Sequence, residues 1–212
     1  MLRGWLAAAL LALALPVSAA APVLGTDYVE IPGGQPFAAA PGKIEVAEVF
    51  GYTCPHCAHF EPILAAWQRK QPADVTLTRI PAAFGGYWIP YARAYYAAQR
   101  LGVLDRTHQA MFDALHVNGT LPIQNVADEE LARFYAGYGV KPATFIATLR
   151  SPQVDAQIQR GQDFLQRGEV EATPTLIVAG KYKITGARNF DDLLRIANGL
   201  VAMERARQRG GK

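Results

Sequence analysis

EVFGYTCPHCAHFEPIL, Glu48 to Leu64, holds both cysteines of a 212-residue chain, as the tetrapeptide C-P-H-C at Cys54 to Cys57. Just upstream, IEVAEVF (Ile44 to Phe50) is an apolar, β-rich run of strand length. Downstream, Phe60, Ile63, Leu64 and Trp67 recur at i, i+3, i+4 and i+7, the spacing of one helical face. Cys54 therefore falls at a strand-to-helix junction. Pro55 suits the first turn of that helix, where its missing N–H is no loss. Pro62 lies inside the helix and is expected to kink it, because it removes a hydrogen bond and crowds the previous turn.

Working outward, DVTLTRI (Asp74 to Ile80) alternates as a strand does, which completes a strand-helix-strand unit. From about Pro90 to Arg167 the apolar residues follow helical spacing, as in Leu131, Phe134, Tyr135 and Tyr138, broken at LPIQN and YGVKP. Strand texture returns at TPTLIVAGKYKITG (Thr173 to Gly186), a hairpin turning at Ala179-Gly180. A last helix opens at Asn189 as N-cap and carries Phe190, Leu193, Leu194, Ala197, Leu200 and Val201 on one face. IPGGQPFAAAPGK (Ile31 to Lys43) reads as loop. The expected class is α/β: a discontinuous domain of residues 21–81 and 168–212 that carries an inserted helical subdomain, 82–167.

Residues 1–20 read as an export signal, with Arg3 as the charge, Trp5 to Leu15 as the apolar stretch and PVSAAAP before the cut. That stretch of about a dozen residues is shorter than the roughly 20 that span a bilayer. With no cysteine near the cut, a lipid on a cysteine there is excluded. Removal of Arg3 leaves 20 basic against 18 acidic residues, too even a balance to argue for a nucleic-acid partner. The basic tail from Arg205 to Lys212 reads as a solvated terminus. Outside the cytosol, a close cysteine pair can stay oxidised.

Four chemistries compete for C-P-H-C. As a structural staple, a loop this small is worth only about 2 kcal/mol, against nearly 5 for a loop of about 100 residues. A structural zinc needs four ligands, and the four histidines, His56, His59, His108 and His116, do not complete a usual spacing. Covalent haem attachment needs a histidine directly after the second cysteine, where this chain has Ala58. Thiol–disulfide exchange fits best. A helix N-terminus favours thiolate at Cys54, His56 can add to that, and Cys57 sits one turn in, harder to reach. A thiolate held low stabilises the reduced pair, which makes the disulfide an oxidant.

C-P-H-C at this junction, Thr173-Pro174 before a strand, the GKY hairpin at Gly180 to Tyr182 and the helical insertion together resemble the DsbA family, exported thiol–disulfide oxidoreductases of the thioredoxin fold. The likeness spans nearly the whole chain beyond residue 20. It implies a depressed cysteine pKa and a strongly oxidising disulfide. It implies Cys54 as nucleophile, Cys57 as buried resolving partner, Pro55 and His56 as tuning residues, and Thr173 with a cis Pro174 as the substrate-binding pair. It further implies a periplasmic monomer whose partners are reduced, unfolded exported proteins and a DsbB-like membrane quinone reductase, with no cofactor beyond the Cys54–Cys57 disulfide.

Glu48 matches the family's buried acid. Strand alternation groups it with Ile44, Val46 and Phe50, and a buried carboxyl tends to be neutral and able to pass a proton to Cys57; a solvated strand-end glutamate is the alternative. Thr173 departs from the valine of the best-known members, and its hydroxyl can bond near the sulfurs. Threonine there also occurs in disulfide isomerases of this fold, so an isomerase or reductase stays open, as does a metal carrier. Those isomerases resemble dimers built on an extra N-terminal domain, for which the roughly 20 residues between signal and core leave no room. Tyr52, Phe84, Tyr87 and Trp88 read as an apolar substrate surface or as core. His59, His108 and His116 read as ordinary surface or packing residues.

Overall fold

Strand β2 (Ile44–Phe50) is the axis on which the chain is built, with all seven of its residues buried. A computed structural model describes residues 21–38 and 40–210, so the expected export segment, 1–20, lies outside the described residues. Around β2 a five-stranded sheet is ordered β1-β5-β4-β2-β3. Its other strands are β1 (Tyr28–Glu30), β3 (Val75–Pro81), β4 (Thr175–Val178) and β5 (Tyr182–Ile184). β3 runs parallel to β2, with Glu48 opposite Arg79, while β4 runs antiparallel on the other side, with Glu48 opposite Leu176. The parallel pair requires a crossover, supplied by helix α1 (Pro55–Gln68).

Alternation along β2 feeds two cores. Ile44 and Val46 pack with Phe60, Leu64 and Trp67 of α1 and with Ile196, Ala197 and Leu200 of the last helix, α7 (Phe190–Gly210). Ala47 and Val49 face the other way, with Ile80, Ile177, Phe164 and Leu165. Between β3 and β4 run α2 (Trp88–Arg100), α3 (Leu104–His116), α4 (Asp128–Ala136), α5 (Pro142–Leu149) and α6 (Pro152–Arg167). Their apolar faces form a third core, around Tyr91, Met111, Phe112, Leu131, Tyr135 and Phe145, which reaches over the end of β2 to Phe50, Tyr52, Cys54 and Cys57.

Local chemistry sets the boundaries. Asn189 Oδ1 accepts from the Asp192 N–H at 2.9 Å and so caps α7. The β4–β5 hairpin turns at Ala179 and Gly180, with φ of 54° and 66°, the two positive values a tight hairpin needs. A side chain at Gly180 would meet the Gln35 carbonyl at 2.1 Å, so the turn also fixes how closely the N-terminal loop lies against it. β1 lies inside a stretch without strand periodicity and is held by pairing with β5. Among the described residues no helix is long and apolar enough to cross a membrane.

Candidate active site

The turn that delivers the chain from β2 into α1 is tightly held. The Cys54 N–H donates to the Gly51 carbonyl at 3.1 Å. A Cβ on Gly51 would come within 2.0 Å of Trp88 Cζ3, so only glycine lets that ring cover the turn. Cys54 is the N-cap of α1, with extended φ and ψ of −89° and 117°, and its Sγ accepts the Cys57 N–H at 3.4 Å. Pro55 occupies the first helical turn, where no donor is lost. From the far end of the sequence, the Thr173 carbonyl lies 3.5 Å from Cys54 Sγ, and the Thr173–Pro174 peptide is cis. Both cysteines are free thiols.

The two sulfurs differ sharply in their surroundings. Cys54 is lowered to about 5, first by the hydrogen bond from the Cys57 side chain, then by the Thr173 side chain and the backbone N–H groups of Cys57 and His56, all against burial. Burial drives the Cys57 thiol far above its ordinary value, and the neighbouring Cys54 reinforces this. Cys57 is 0% exposed and Cys54 7%. His56 is exposed and lines, with Thr173, Pro174, Arg188 and Phe190, a groove of about 480 Å³ beside the sulfurs.

Beneath the pair lies a charged cluster. Glu48 is 1% exposed, and burial, followed by the charge of Glu61, pushes its carboxyl up to about 8, with Arg79 opposing. Arg79 is committed elsewhere: its Nε and Nη2 donate to Glu61 at 3.1 and 2.6 Å, while Glu48 Oε2 stays 3.5 Å from Nε with no hydrogen-bond partner. Burial works against the Glu61 anion too, but contact with His108 and the charge and hydrogen bonds of Arg79 win and hold it below the ordinary range. His108 Nε2 sits 3.2 Å from Glu61 Oε2. Burial lowers His108 below the ordinary imidazole value, against the pull of Glu61, while Arg79 is held more firmly charged, against burial, by Glu61 and Glu48.

The structure thus brings Cys54, Pro55, His56, Cys57, Glu48, Thr173 and Pro174 to one end of the sheet. Among the described residues, no three His, Cys, Asp or Glu side chains converge as a metal set. Of the two readings left open for the aromatic residues, Tyr52 takes the core one: it is 1% exposed, with its ring against Phe50 and Phe112. Phe84 and Tyr87 are exposed and meet the edge or face of the half-buried Trp88. His108 and His116 are not mere packing, for His108 Nδ1 meets the Tyr52 hydroxyl and His116 Nε2 the Tyr52 carbonyl, both at 2.7 Å. Sequence reasoning also missed Glu61 and Arg79. The signal was a charge on each apolar face: Glu61 lies four residues after Cys57 on the buried side of α1, and Arg79 stands opposite Glu48.

A mixed sheet with the cysteine pair at the N-terminus of its first long helix, and a cis proline facing that pair, defines a thioredoxin-class redox protein. The Thioredoxin family model matches residues 38–198. The thiol:disulfide interchange protein DsbA of Azotobacter vinelandii is 36% identical over 187 residues, 87% of this chain and 86% of its own length. That of Pseudomonas aeruginosa is 37% identical over 184 residues, 86% and 85% of the two chains. The crystal structure of oxidoreductase DsbA from Xylella fastidiosa superposes with a TM-score of 0.86 at 53% identity, covering 88% of this chain and 100% of that one. The chain belongs to the DsbA family and is a thiol:disulfide oxidoreductase.

Proposed function

We propose that this protein is a periplasmic dithiol oxidase, exported by residues 1–20, which gives a Cys54–Cys57 disulfide to reduced, unfolded exported proteins. The observation that carries the direction of transfer is Cys54 Sγ as helix N-cap, accepting the Cys57 N–H at 3.4 Å while Cys57 itself is buried. A substrate thiolate attacks Cys54 Sγ, the disulfide breaks, and Cys57 leaves with the electron pair and takes a proton from Glu48, which holds one below about pH 8. The substrate's second thiolate then attacks its own mixed-disulfide sulfur and expels Cys54 as a thiolate. Two electrons have moved to the protein; both substrate protons leave to solvent, Cys57 carries the proton from Glu48, and Glu48 takes one back from solvent, for a net release of one proton.

Energetics favour this direction. Lowering a thiol from about 8.5 to about 5 stabilises the reduced protein at pH 7 only through the part of the shift below 7, about 2.7 kcal/mol or roughly 60 mV before solvent screening. In this reading Pro55 and His56 tune the pair, and Thr173 and Pro174 receive the substrate along the groove. Residues 82–167 act as an inserted helical subdomain of a monomer. No cofactor is needed, because the sulfurs carry the electrons, and a DsbB-like membrane quinone reductase restores the disulfide.

The test is denaturant unfolding of both redox forms alongside equilibration with glutathione. The reduced form is expected to be the more stable. An oxidised form of equal or greater stability would overturn the oxidase reading and leave an isomerase or reductase of the same fold.

A further inference from the structure

Tyr52 is gripped at both ends by a single helix of the helical layer. Its hydroxyl meets His108 Nδ1 at 2.7 Å, and its backbone carbonyl meets His116 Nε2 at 2.7 Å. Both histidines belong to α3, eight residues and so about two turns apart. Midway between them Phe112 packs edge-on to the tyrosine ring, centroids 5.0 Å apart. A carbonyl can only accept, so His116 presents Nε2–H to Tyr52.

That carbonyl belongs to the peptide joining Tyr52 to Thr53, one peptide before the bond into Cys54. We propose that His116 is a positioning residue for Cys54. By fixing the plane of this peptide, it sets where Sγ lies relative to the Cys57 N–H, 3.4 Å away, which donates to the thiolate, and the Thr173 carbonyl, 3.5 Å away, which can only accept from the protonated thiol. Hydrogen bonding to sulfur weakens quickly as the donor moves off line, so a small tilt of the preceding peptide changes how well the thiolate is held. The His108 contact anchors the other end of Tyr52 and stops the side chain from following the peptide. The helical layer thereby acts on the redox pair through one backbone carbonyl. The inference deepens the dithiol-oxidase reading and rests on it.

His116 is half-buried, so its replacement leaves no large cavity. The experiment compares His116→Leu, which removes the donor, with His116→Gln, whose amide nitrogen can take the place of Nε2, by ultraviolet titration of the thiolate and by equilibration of the exported protein with glutathione. For His116→Leu the Cys54 midpoint is expected to rise and the equilibrium to move about two- to tenfold toward the oxidised protein, the range of one hydrogen bond. His116→Gln is expected to recover most of the shift. If His116→Leu titrates like the wild type, or both variants shift equally, or the two redox forms lose the same stability with the titration unmoved, His116 only packs and the inference is overturned. A wild-type Cys54 that titrates like a free cysteine would instead sink the oxidase reading itself, so the two failures are distinguishable.

Discussion

Arg79 stands opposite Glu48 in the parallel pairing of β2 and β3, yet it spends its hydrogen bonds on Glu61 and leaves Glu48 Oε2 at 3.5 Å without a partner. The Oε2 of the acid beneath the sulfurs therefore has a neighbouring cation but no hydrogen-bond donor. It is free to hold a proton where a fully paired carboxylate would not.

Replacing Glu48 by Gln follows from this arrangement. Because burial raises the carboxyl to about 8, the native state holds a proton that the unfolded chain has released at neutral pH. Its relative stability is full at low pH and is lost as pH climbs through about 8. Glu48→Gln is expected to leave stability unchanged below about pH 4.5 and to raise it by about 3 kcal/mol at pH 7, measured by urea unfolding across that range. If Glu48 protonates Cys57 as proposed, exchange with substrate thiols should slow by about tenfold or more.

The sulfur at the N-cap gives the opposite sign. A depressed thiol pKa stabilises the reduced form fully above its unfolded value and loses that advantage as pH falls through about 5. The gap in melting temperature between reduced and oxidised protein should narrow from pH 7 to pH 4, and differential scanning calorimetry at the two pH values reads it.

Thr173→Val removes one of the side-chain hydrogen bonds that lower Cys54 while keeping the backbone carbonyl that faces it. The thiolate midpoint should rise by about half a unit to one unit, and the glutathione equilibrium should move by the corresponding three- to tenfold toward the oxidised form. An unchanged midpoint would mean that the hydroxyl has no hold on the sulfur.

Gly51→Ala tests how the turn is roofed. The added Cβ falls 2.0 Å from Trp88 Cζ3, and the ring is packed among Phe84 and Tyr87 rather than free to swing. Overpacking of this kind is expected to lower stability by about 1–3 kcal/mol, read as a fall in denaturation midpoint with no change in slope.

Much of this was legible in the linear chain because it depends on local rules. The strand before Cys54, the helix after it, the Asn189 cap and the hairpin at Ala179-Gly180 each follow from periodicity or turn chemistry over a few residues. β1 was not legible: three residues carry no period, and only pairing with β5 makes them a strand. Nor was the cluster of Glu61, Arg79 and His108. Each is a polar residue turned inward on a different element, and a pattern cannot say that three such residues, separated by up to 47 positions, meet at one point. His116 was hidden for a different reason, since its partner is a backbone carbonyl, which no residue type announces.

β2 begins in one core and ends in another: Ile44 and Val46 pack under α1 and α7, while Phe50 and, just beyond the strand, Tyr52 are enclosed by the helices. A single extended segment thus serves as a rivet through both layers. Peeling the helices away would strip two aromatic rings from the same stretch of backbone that steers the sulfurs, so the molecule is built to lose its layers and its chemistry together.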